Sequence, residues 1–444
     1  MANKNWGKMP LKKLCTRIGD GLHGTPEYSD NTGVFFINGN NLKNGKIEIT
    51  KDTKTVTEEE FANNFIQLNS NSLLLSINGT LGSMAFFNNE KVMLGKSAAY
   101  LNFKTNINRF YYYYFQLNGV QDYFYNVATG STIKNLSLKS IQDFEVPVPE
   151  EYEWKGIVKV LSSIDAKIEL NNKINQELEA MAKTLYDYWF VQFDFSFDFA
   201  QGKPNEQGKP YKSSGGKMDY NEELKREIPE GWEVKKISQI AKTGSGGTPL
   251  STKKEFYENG HIPWINSGEV NKPFIVSTNN FITQIGLENS STKMFKCGTI
   301  LMAMYGATAG KVSFMDIEAC TNQAICAINP NEDFYRIYIK FGLEDLYKYL
   351  IKLSSGSARD NLSQNKIGEL KFVIPNDIII KKFDKLVLPS MEKILINLKE
   401  SQHLTELRNW LLPMLMNGQV TVGEAEEKLS MAAEPSVEYN KFRK

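Results

Sequence analysis

The chain has 444 residues, of which 41% are hydrophobic and 23% are charged, and its formal net charge is +1. This length predicts two or three domains, because a single hydrophobic core stops growing at about 250–300 residues. The sequence contains neither an apolar run of about 18 residues nor a signal peptide, so we expect a cytoplasmic protein without a membrane segment.

The first 150 residues predict a mixed α/β domain. They open at Trp6 and run through Lys-rich residues into a Gly-rich loop, GLHGTP, at 21–26. Short apolar runs bounded by Gly and Asn, such as FFING and SLLLSI, are typical of β-strands. The aromatic segment at 109–130 predicts helices that lie against these strands.

Residues 151–193 predict a long amphipathic helix. Its apolar residues recur at steps of three and four, and the phase slips by one position at Asn171. A narrow stripe of this kind is typical of a coiled coil, in which a polar residue can fix the register of the partner helices. A helix that lies only on its own domain stays open as an alternative. The predicted packing residues are Ile157, Leu161, Ile164, Ile168, Asn171, Ile174, Leu178, Met181 and Leu185.

After a linker rich in Gly, Pro, Ser and Lys at 194–230, residues 231–375 repeat the pattern of the first domain. Three segments of the second half are similar to segments of the first half. The matched pairs are WGKMPLKKLCTRIGDGLHGTP with WEVKKISQIAKTGSGGTP, LLLSINGTLGSMAFF with ILMAMYGATAGKVSF, and NLSLKSIQDFEVPVP with NLSQNKIGELKFVIP. The first and last matching segments are separated by the same offset, 226 residues. Ordered matches of this kind indicate two homologous halves.

Residues 376–418 predict a second long helix, followed by a C-terminal tail at 419–444. The polar interruption now falls at Ser401. Two helices of similar length with narrow apolar stripes are expected to pack on each other. The predicted packing residues of the second helix are Met391, Ile394, Leu398, Ser401, Leu404, Leu407 and Leu411.

The Gly-rich segment GATAGKV at 306–312 is similar to a phosphate-binding P-loop but departs from it twice. Tyr305 replaces the first glycine, and Val312 replaces the hydroxyl residue that would bind magnesium. We therefore expect no nucleotide site. Two interpretations remain open: a tight β-hairpin, or a loop that allows close approach to a nucleic-acid phosphate backbone.

The sequence offers no recognisable catalytic or metal-binding constellation. It lacks the H-E-x-x-H and G-x-S-x-G motifs and an Asn/Asp-Pro-Pro-aromatic tetrapeptide. Its four cysteines and three histidines are widely spaced, which favours free buried thiols over disulfides or a metal centre. We expect no catalytic residue, no metal and no enzymatic activity of the isolated chain.

Together, the duplicated Gly-Thr-Pro and GATAGKV-like loops, the paired NLS…VIP endings, the helix ending in LYDYWFVQFDF and the linker GKPYKSSGGKM resemble the specificity (S) subunit of type I restriction–modification enzymes. The resemblance covers nearly the whole chain. It implies an α+β fold with two homologous α/β target-recognition domains. Two long antiparallel helices would separate these domains, form a coiled coil and give the molecule quasi-two-fold symmetry.

The resemblance also implies a function and a set of partners. Each domain would read one half of a bipartite, asymmetric double-stranded DNA target. The helices would set the spacing and dock two modification (methyltransferase) subunits. The chain itself would hold no cofactor, since S-adenosylmethionine would be bound by the methyltransferase partner, and ATP and magnesium by the restriction subunits.

The resemblance implies that bases are read by side chains in the segments that differ between the two halves. Gly-rich turns can add contacts to phosphate groups. The candidate DNA-binding residues are polar or basic and lie in such segments: Asn40, Asn41, Lys43, Lys46, Lys134, Asn266, Ser267, Asn271, Lys272, Lys311 and Arg359.

Three other functions remain open from the sequence. The chain could be a two-domain protein-binding scaffold without DNA recognition. It could serve as the recognition arm of a fused or bacteriophage-exclusion methyltransferase, although a methyltransferase domain is missing from it. It could also be an enzyme with an unusual site around Asp20 and His23.

Overall fold

The structure is a computed structural model that describes residues 6–195, 209–347 and 362–433, with side chains as far as residue 430. The chain divides into two compact units. Unit 1 comprises residues 1–168 and 403–444, and unit 2 comprises residues 169–402. Each unit therefore contains one repeated domain together with segments of both long helices.

Unit 1 is built from ten strands and several helices. The strands are β1 (Gly7–Pro10), β2 (Cys15–Asp20), β3 (Phe35–Ile37), β4 (Leu42–Lys43), β5 (Lys46–Ile47), β6 (Ser72–Ser76), β7 (Met84–Phe86), β8 (Val92–Leu94), β9 (Ala98–Phe103) and β10 (Glu145–Val148). The helices of the domain are α1 (Glu58–Asn63), α2 (Asn108–Tyr114), α3 (Asn118–Val127) and α4 (Leu138–Asp143). They are followed by the long helix α5 (Glu151–Tyr186), whose first part belongs to this unit.

The central sheet of unit 1 has the strand order β2-β9-β6-β7, with all pairs antiparallel. Every residue of β6 and β9 is buried, because helices α2 and α3 and smaller strand pairs enclose the sheet. Strands β3 and β8 form a separate parallel pair, and β1 and β10 join the two ends of the domain. The largest core of unit 1 gathers β6, β9, α2, α3 and the start of α5.

Unit 2 contains the second domain. Its strands are β11 (Met218–Asn221), β12 (Arg226–Pro229), β13 (Glu233–Lys236), β14 (Ala241–Ser245), β15 (Ile262–Ile265), β16 (Phe274–Ile275), β17 (Phe281–Ile282), β18 (Met294–Phe295), β19 (Ile300–Ala303), β20 (Val312–Met315), β21 (Ala319–Thr321), β22 (Ile325–Pro330) and β23 (Lys371–Ile374). Its helices are α6 (Ile237–Ile240), α7 (Gln284–Glu288), α8 (Arg336–Asp345), α9 (Gln364–Gly368) and most of the long helix α10 (Asp377–Met416).

The main strand pairings of unit 1 recur in unit 2, whose central sheet has β16 as a fifth strand beside β20. The order β14-β22-β19-β20 matches β2-β9-β6-β7, the parallel pair β15–β21 matches β3–β8, and β13–β23 matches β1–β10. A hydroxyl-to-carboxamide hydrogen bond between adjacent central strands is also repeated. Ser72 Oγ donates to Asn102 Oδ1, and Thr299 Oγ1 donates to Asn329 Oδ1, both at 2.7 Å. The predicted duplication is confirmed in three dimensions.

The two long helices pack antiparallel within each unit. In unit 2, Asn171 Nδ2 lies 3.2 Å from Ser401 Oγ, and Asn397 Nδ2 lies 2.8 Å from Asn175 Oδ1, so residue numbers rise on α5 as they fall on α10. In unit 1, Arg408 of α10 binds Asp165 of α5 at 2.8 Å.

Although α5 and α10 contain 36 and 40 residues, no helix in the described ranges is apolar enough over such a length to cross a membrane.

Most predicted packing residues of the helices lie at or near the cores. Ile168, Ile174, Leu178, Leu185, Leu398 and Leu407 are half-buried, and the buried residues are Ile157, Leu161, Ile164, Asn171, Met391, Ile394, Ser401, Leu404 and Leu411.

The prediction is wrong for Met181, whose side chain is 67% exposed. Its neighbour Ala182 is buried instead, together with the larger rings of Tyr186, Trp189 and Phe190. These three rings pack around Phe383 of α10, at centroid distances of 4.9–6.1 Å. Burial of three large aromatic side chains outweighs burial of one methionine, so the helix presents a face rotated by one position from the predicted stripe.

The predicted linker and tail are both partly folded. The described parts of the linker are residues 194–195 and 209–230, and the second contains the β11–β12 hairpin. The Tyr211 ring stacks on Phe195, which in turn stacks on Trp232. The tail forms helix α11 (Val422–Ala433), which packs in unit 1. Thr421 caps this helix reciprocally with Glu424, a T-x-x-E capping box that is readable in the sequence.

Candidate nucleic-acid interface

In unit 1, five loops meet at one end of the central sheet; we name them loop cluster 1 (residues 21–26, 38–41, 77–83, 95–97 and 129–136). Four of the loops begin or end beside a strand of the sheet or of the β3–β8 pair, and the fifth, residues 129–136, connects α3 to α4. Backbone hydrogen bonds tie the loops together: Leu22 N to Leu94 O (2.8 Å), Gly95 N to Ile37 O (2.8 Å), Ile77 N to Ser97 O (3.0 Å) and Leu136 N to Ile77 O (2.9 Å). The cluster is therefore a connected surface.

The described residues of unit 2 carry four corresponding loops, which we name loop cluster 2 (residues 246–249, 266–269, 304–311 and 322–324). Its loops are tied by equivalent backbone hydrogen bonds: Gly247 N to Thr321 O (2.9 Å), Asn322 N to Ile265 O (3.0 Å), Met304 N to Ala324 O (2.8 Å) and Leu362 N to Met304 O (3.1 Å). Side chains add further bonds, from Thr308 Oγ1 to Ser267 O (2.8 Å) and from Tyr305 OH to Gln323 O (2.8 Å).

The glycines of these loops have a structural explanation. A side chain at Gly21 would place its Cβ 1.9 Å from the Leu94 carbonyl oxygen, and one at Gly246 would lie 1.8 Å from that of Thr321. The Gly-Thr-Pro loops can approach the strand ends only because these residues lack a Cβ.

The GATAGKV segment forms the turn of the β19–β20 hairpin. Gly306 and Gly310 have φ angles of +83° and +81°, and Gly79 and Gly82 of the β6–β7 hairpin have +75° and +84°. Positive φ is readily adopted only by glycine. The hairpin interpretation is therefore confirmed, and both turns contain two glycines with positive φ.

The unit 1 candidates divide between the loop cluster and its surroundings. Asn40 is exposed in loop cluster 1. The side chain of Asn41 is engaged in hydrogen bonds to nearby backbone groups: it accepts from Asn38 N (3.0 Å) and donates to Glu48 O (3.1 Å). Lys134 also lies in loop cluster 1, where it is half-buried with Nζ 5.0 Å from the Tyr125 ring centroid. Lys43 and Lys46 lie outside the cluster: Lys43 on β4 is paired with Glu48, and Lys46 is exposed on β5.

In unit 2, Asn266 and Ser267 lie in loop cluster 2, and the half-buried Lys311 ends its glycine turn. The Asn266 side chain accepts a hydrogen bond from Gly268 N at 2.9 Å and so caps the short 3-10 turn at 267–269. Asn271 and Lys272 are exposed just before β16, outside the cluster. Arg359 lies outside the described residues.

Several exposed residues of the clusters were not among the sequence candidates, and two of them are equivalent in the two units. Lys96 and Gln323 occupy equivalent positions, two residues after β8 and β21. The sequence alignment of GKSAAYLNF with TNQAICAIN places Lys96 opposite Asn322, one residue away from its structural counterpart Gln323. It was insufficient because the pattern does not show that this position faces solvent between several loops.

Each domain is fixed to the helices of its own unit by polar contacts. In unit 1, Tyr113 OH donates to Asp165 (2.7 Å). In unit 2, the Lys340 ammonium group is 1% exposed and lies 3.2 Å from Glu179 of α5 and 2.7 Å from Glu344. Burial raises the pKa of Glu344, although the Lys340 charge opposes that shift. These contacts fix the orientation of each loop cluster on its helices.

The enzyme alternative finds little support in the geometry. His23 Nε2 lies within hydrogen-bonding distance of Asp20 Oδ2, at 2.8 Å, but the His23 side chain is 71% exposed. The four cysteines are free thiols, and burial raises the pKa of both Cys15 and Cys326 to about 12. Such thiols are protonated and poorly nucleophilic at neutral pH.

Comparisons with known proteins agree with this architecture. The family model described as "Type I restriction modification DNA specificity domain" matches residues 3–180 and 229–403. The type I restriction enzyme MjaIX specificity subunit of Methanocaldococcus jannaschii is 28% identical over 72% of this chain and 70% of its own length. The HindI specificity subunit of Haemophilus influenzae is 28% identical over 68% of this chain and 75% of its own.

The fold is shared with a solved structure. The S subunit of a type I restriction–modification system from M. genitalium superimposes with a TM-score of 0.57 at 18% identity, covering 94% of this chain and 97% of the other. The family model alone matches well over half of the chain, once in each repeated half. The protein therefore belongs to the type I restriction modification DNA specificity family.

Proposed function

We propose that this chain is the DNA-recognition subunit of a type I restriction–modification complex, and that it performs no chemistry itself. The observation that carries the proposal is the pair of loop clusters. Four loops, joined by equivalent backbone hydrogen bonds, recur in the described part of both units but display different exposed side chains. A reader of a bipartite and asymmetric target requires this combination of a common frame and unlike contacts.

The loop clusters are the proposed DNA-contacting surfaces. They expose hydroxyl, carboxamide and ammonium groups, including Thr80, Lys96, Thr248 and Gln323. Such groups bind phosphate oxygens and base edges. The rigid backbone connections support base readout, since a side chain can discriminate bases only if its anchor is held in place.

The spacer helices are proposed to set the distance between the two half-sites. Helix α5 has 36 residues, which corresponds to a length of about 54 Å at 1.5 Å per residue. At about 3.4 Å per base pair, this length corresponds to roughly 16 base pairs of duplex. Two short half-sites and a gap of several base pairs fit within that span.

The helices are also the proposed docking surface for two methyltransferase subunits. In unit 2 they expose the apolar side chains of Leu170, Met181, Leu386 and Leu388, and in unit 1 they expose Trp410. Exposed apolar groups on helices are typical of protein contacts. In this proposal S-adenosylmethionine belongs to the methyltransferase subunits and ATP with magnesium to restriction subunits, so the chain itself carries no cofactor.

The test is to co-express the chain with its cognate methyltransferase subunit and to map methylated adenines in genomic DNA by single-molecule sequencing. We expect one split motif with two different half-sites separated by a fixed gap. A second measurement follows binding of the purified complex to a duplex carrying that motif. Affinity should fall steeply with salt concentration, because phosphate contacts release counterions.

Each outcome distinguishes the alternatives. A stable complex without sequence-specific methylation would favour the protein-binding scaffold. Methylation by the isolated chain would favour an enzyme. A His23→Ala variant that retains the wild-type motif in the complex would exclude a catalytic role for the exposed Asp20–His23 pair.

A further inference from the structure

One position is equivalent in the two loop clusters but carries different chemistry. Lys96 follows β8 and precedes β9, as Gln323 follows β21 and precedes β22. The preceding strands form the same parallel pairing in both units, β3–β8 and β15–β21. The two residues are therefore structural counterparts.

The backbone on either side of this position is held by other loops. Gly95 N donates to Ile37 O, and the carbonyl of Ser97 accepts from Ile77 N. In unit 2, Asn322 N donates to Ile265 O, and the carbonyl of Ala324 accepts from Met304 N. In each unit, the residue before this position is therefore hydrogen-bonded to the end of β3 or β15. The residue after it is hydrogen-bonded to the start of the glycine hairpin turn. A side chain at this position projects from a backbone with little freedom.

Both side chains are exposed, and Gln323 is also oriented. Its Oε1 accepts from Thr248 Oγ1 of the Gly-Thr-Pro loop at 2.5 Å, and its carbonyl accepts from Tyr305 OH at 2.8 Å. The Nε2 group can still donate, and Oε1 keeps a second lone pair. A carboxamide held in this way presents the donor and acceptor pair that matches N7 and N6 of adenine, whereas a lysine matches the N7 and O6 acceptors of guanine.

We propose that this position reads one base in each half-site, with Lys96 selecting guanine in one half and Gln323 selecting adenine in the other. The inference rests on the proposed function and assigns a readout to named residues of the same surface. It also accounts for two unlike half-sites on a common frame, because a single exchange of side chain at a fixed backbone position changes the preferred base.

The test uses the full chain in complex with its methyltransferase and compares methylation motifs. Lys96→Gln should shift one position of one half-site from guanine towards adenine, and Gln323→Lys should shift one position of the other half-site in the opposite sense. The gap and the unaltered half-site should stay the same. Relative methylation of the two bases should change roughly 5- to 150-fold, as expected for one good base contact.

Additional variants keep the test decisive. Lys96→Arg should retain guanine, and Lys96→Ala should relax the position to several bases. Lys51→Gln and Gln284→Lys change exposed residues outside the clusters and should leave the motif unchanged.

Two results would overturn the inference: unaltered motifs in both reciprocal variants, or a uniform loss of methylation at all sequences, which would indicate phosphate contact only. A wild-type complex that yields no split motif would instead contradict the proposed function itself.

Discussion

At the residue scale, the two clusters depend on glycines with distinct tasks. Gly306 and Gly310 supply positive φ in a hairpin turn, whereas Gly21 and Gly246 leave room for a neighbouring carbonyl oxygen. The first task is common in turns and readable from sequence. The second depends on how closely two chain segments pass, which makes Gly21 the more informative target.

We expect Gly21→Ala to destabilise unit 1 by roughly 1–3 kcal/mol, because its Cβ would lie 1.9 Å from the backbone of Leu94 and the loop would have to move. The control is Gly24→Ala in the same loop, where no heavy atom lies within 4 Å of the added Cβ. Its free energy of unfolding should change by no more than about 0.5 kcal/mol. Denaturant unfolding of the full chain measures both values, and equal values for the two variants would refute the packing argument.

At the scale of elements, the helix pair contains a polar layer within an apolar seam. Asn171, Asn175, Asn397 and Ser401 are buried in unit 2, although each occupies a position where an apolar side chain would bury more favourably. Asn171 Nδ2 donates to Ser401 Oγ at 3.2 Å and to Glu400 Oε2 at 2.8 Å. Such a layer favours one alignment of the helices, since any displacement would break the hydrogen bonds that join Asn171 to Ser401 and Asn175 to Asn397.

Replacing Asn171 by Ala should lower the free energy of unfolding by roughly 1–3 kcal/mol, because it removes buried hydrogen bonds and leaves their partners unsatisfied. The double variant Asn171→Leu with Ser401→Ala should cost less, since both sides of the contact become apolar. Asn172→Ala, at an exposed position on the same helix, is the matched control and should have little effect. A double variant less stable than the single one would show that the layer contributes net stability rather than alignment.

At the scale of the whole molecule, duplication gives one chain two domains with the same frame. Two copies of one partner can then meet two equivalent sets of surfaces, which a single domain cannot offer. In the proposed function the helices determine how far apart the target halves lie, and the loop clusters determine what those halves are. The two properties should therefore change independently.

Insertion of seven residues in α5 after Asn175 and in α10 before Asn397 tests this independence. The two sites face each other in unit 2, and seven residues preserve the heptad phase. The insertion adds about 10 Å of helix, so the gap in the methylated motif should grow by about three base pairs. The half-sites should keep their sequences when mapped by single-molecule sequencing. An unchanged gap in an active complex would contradict the role of the helices in spacing.

The amino-acid sequence by itself determined the duplication, the two long helices and the family resemblance. These depend on local properties: ordered motifs, apolar steps of three and four, and glycines in turns. It also offered the β-hairpin interpretation of GATAGKV, which the structure confirms.

Tertiary structure alone decided which faces are buried and which loops meet. Ala182 rather than Met181 faces the core because the rings of Tyr186, Trp189 and Phe190 pack against Phe383. Lys96 and Gln323 emerged as counterparts on the two clusters only when strands distant in sequence were paired. Local patterns report what a segment prefers, whereas burial and the convergence of loops depend on contacts between residues far apart along the chain.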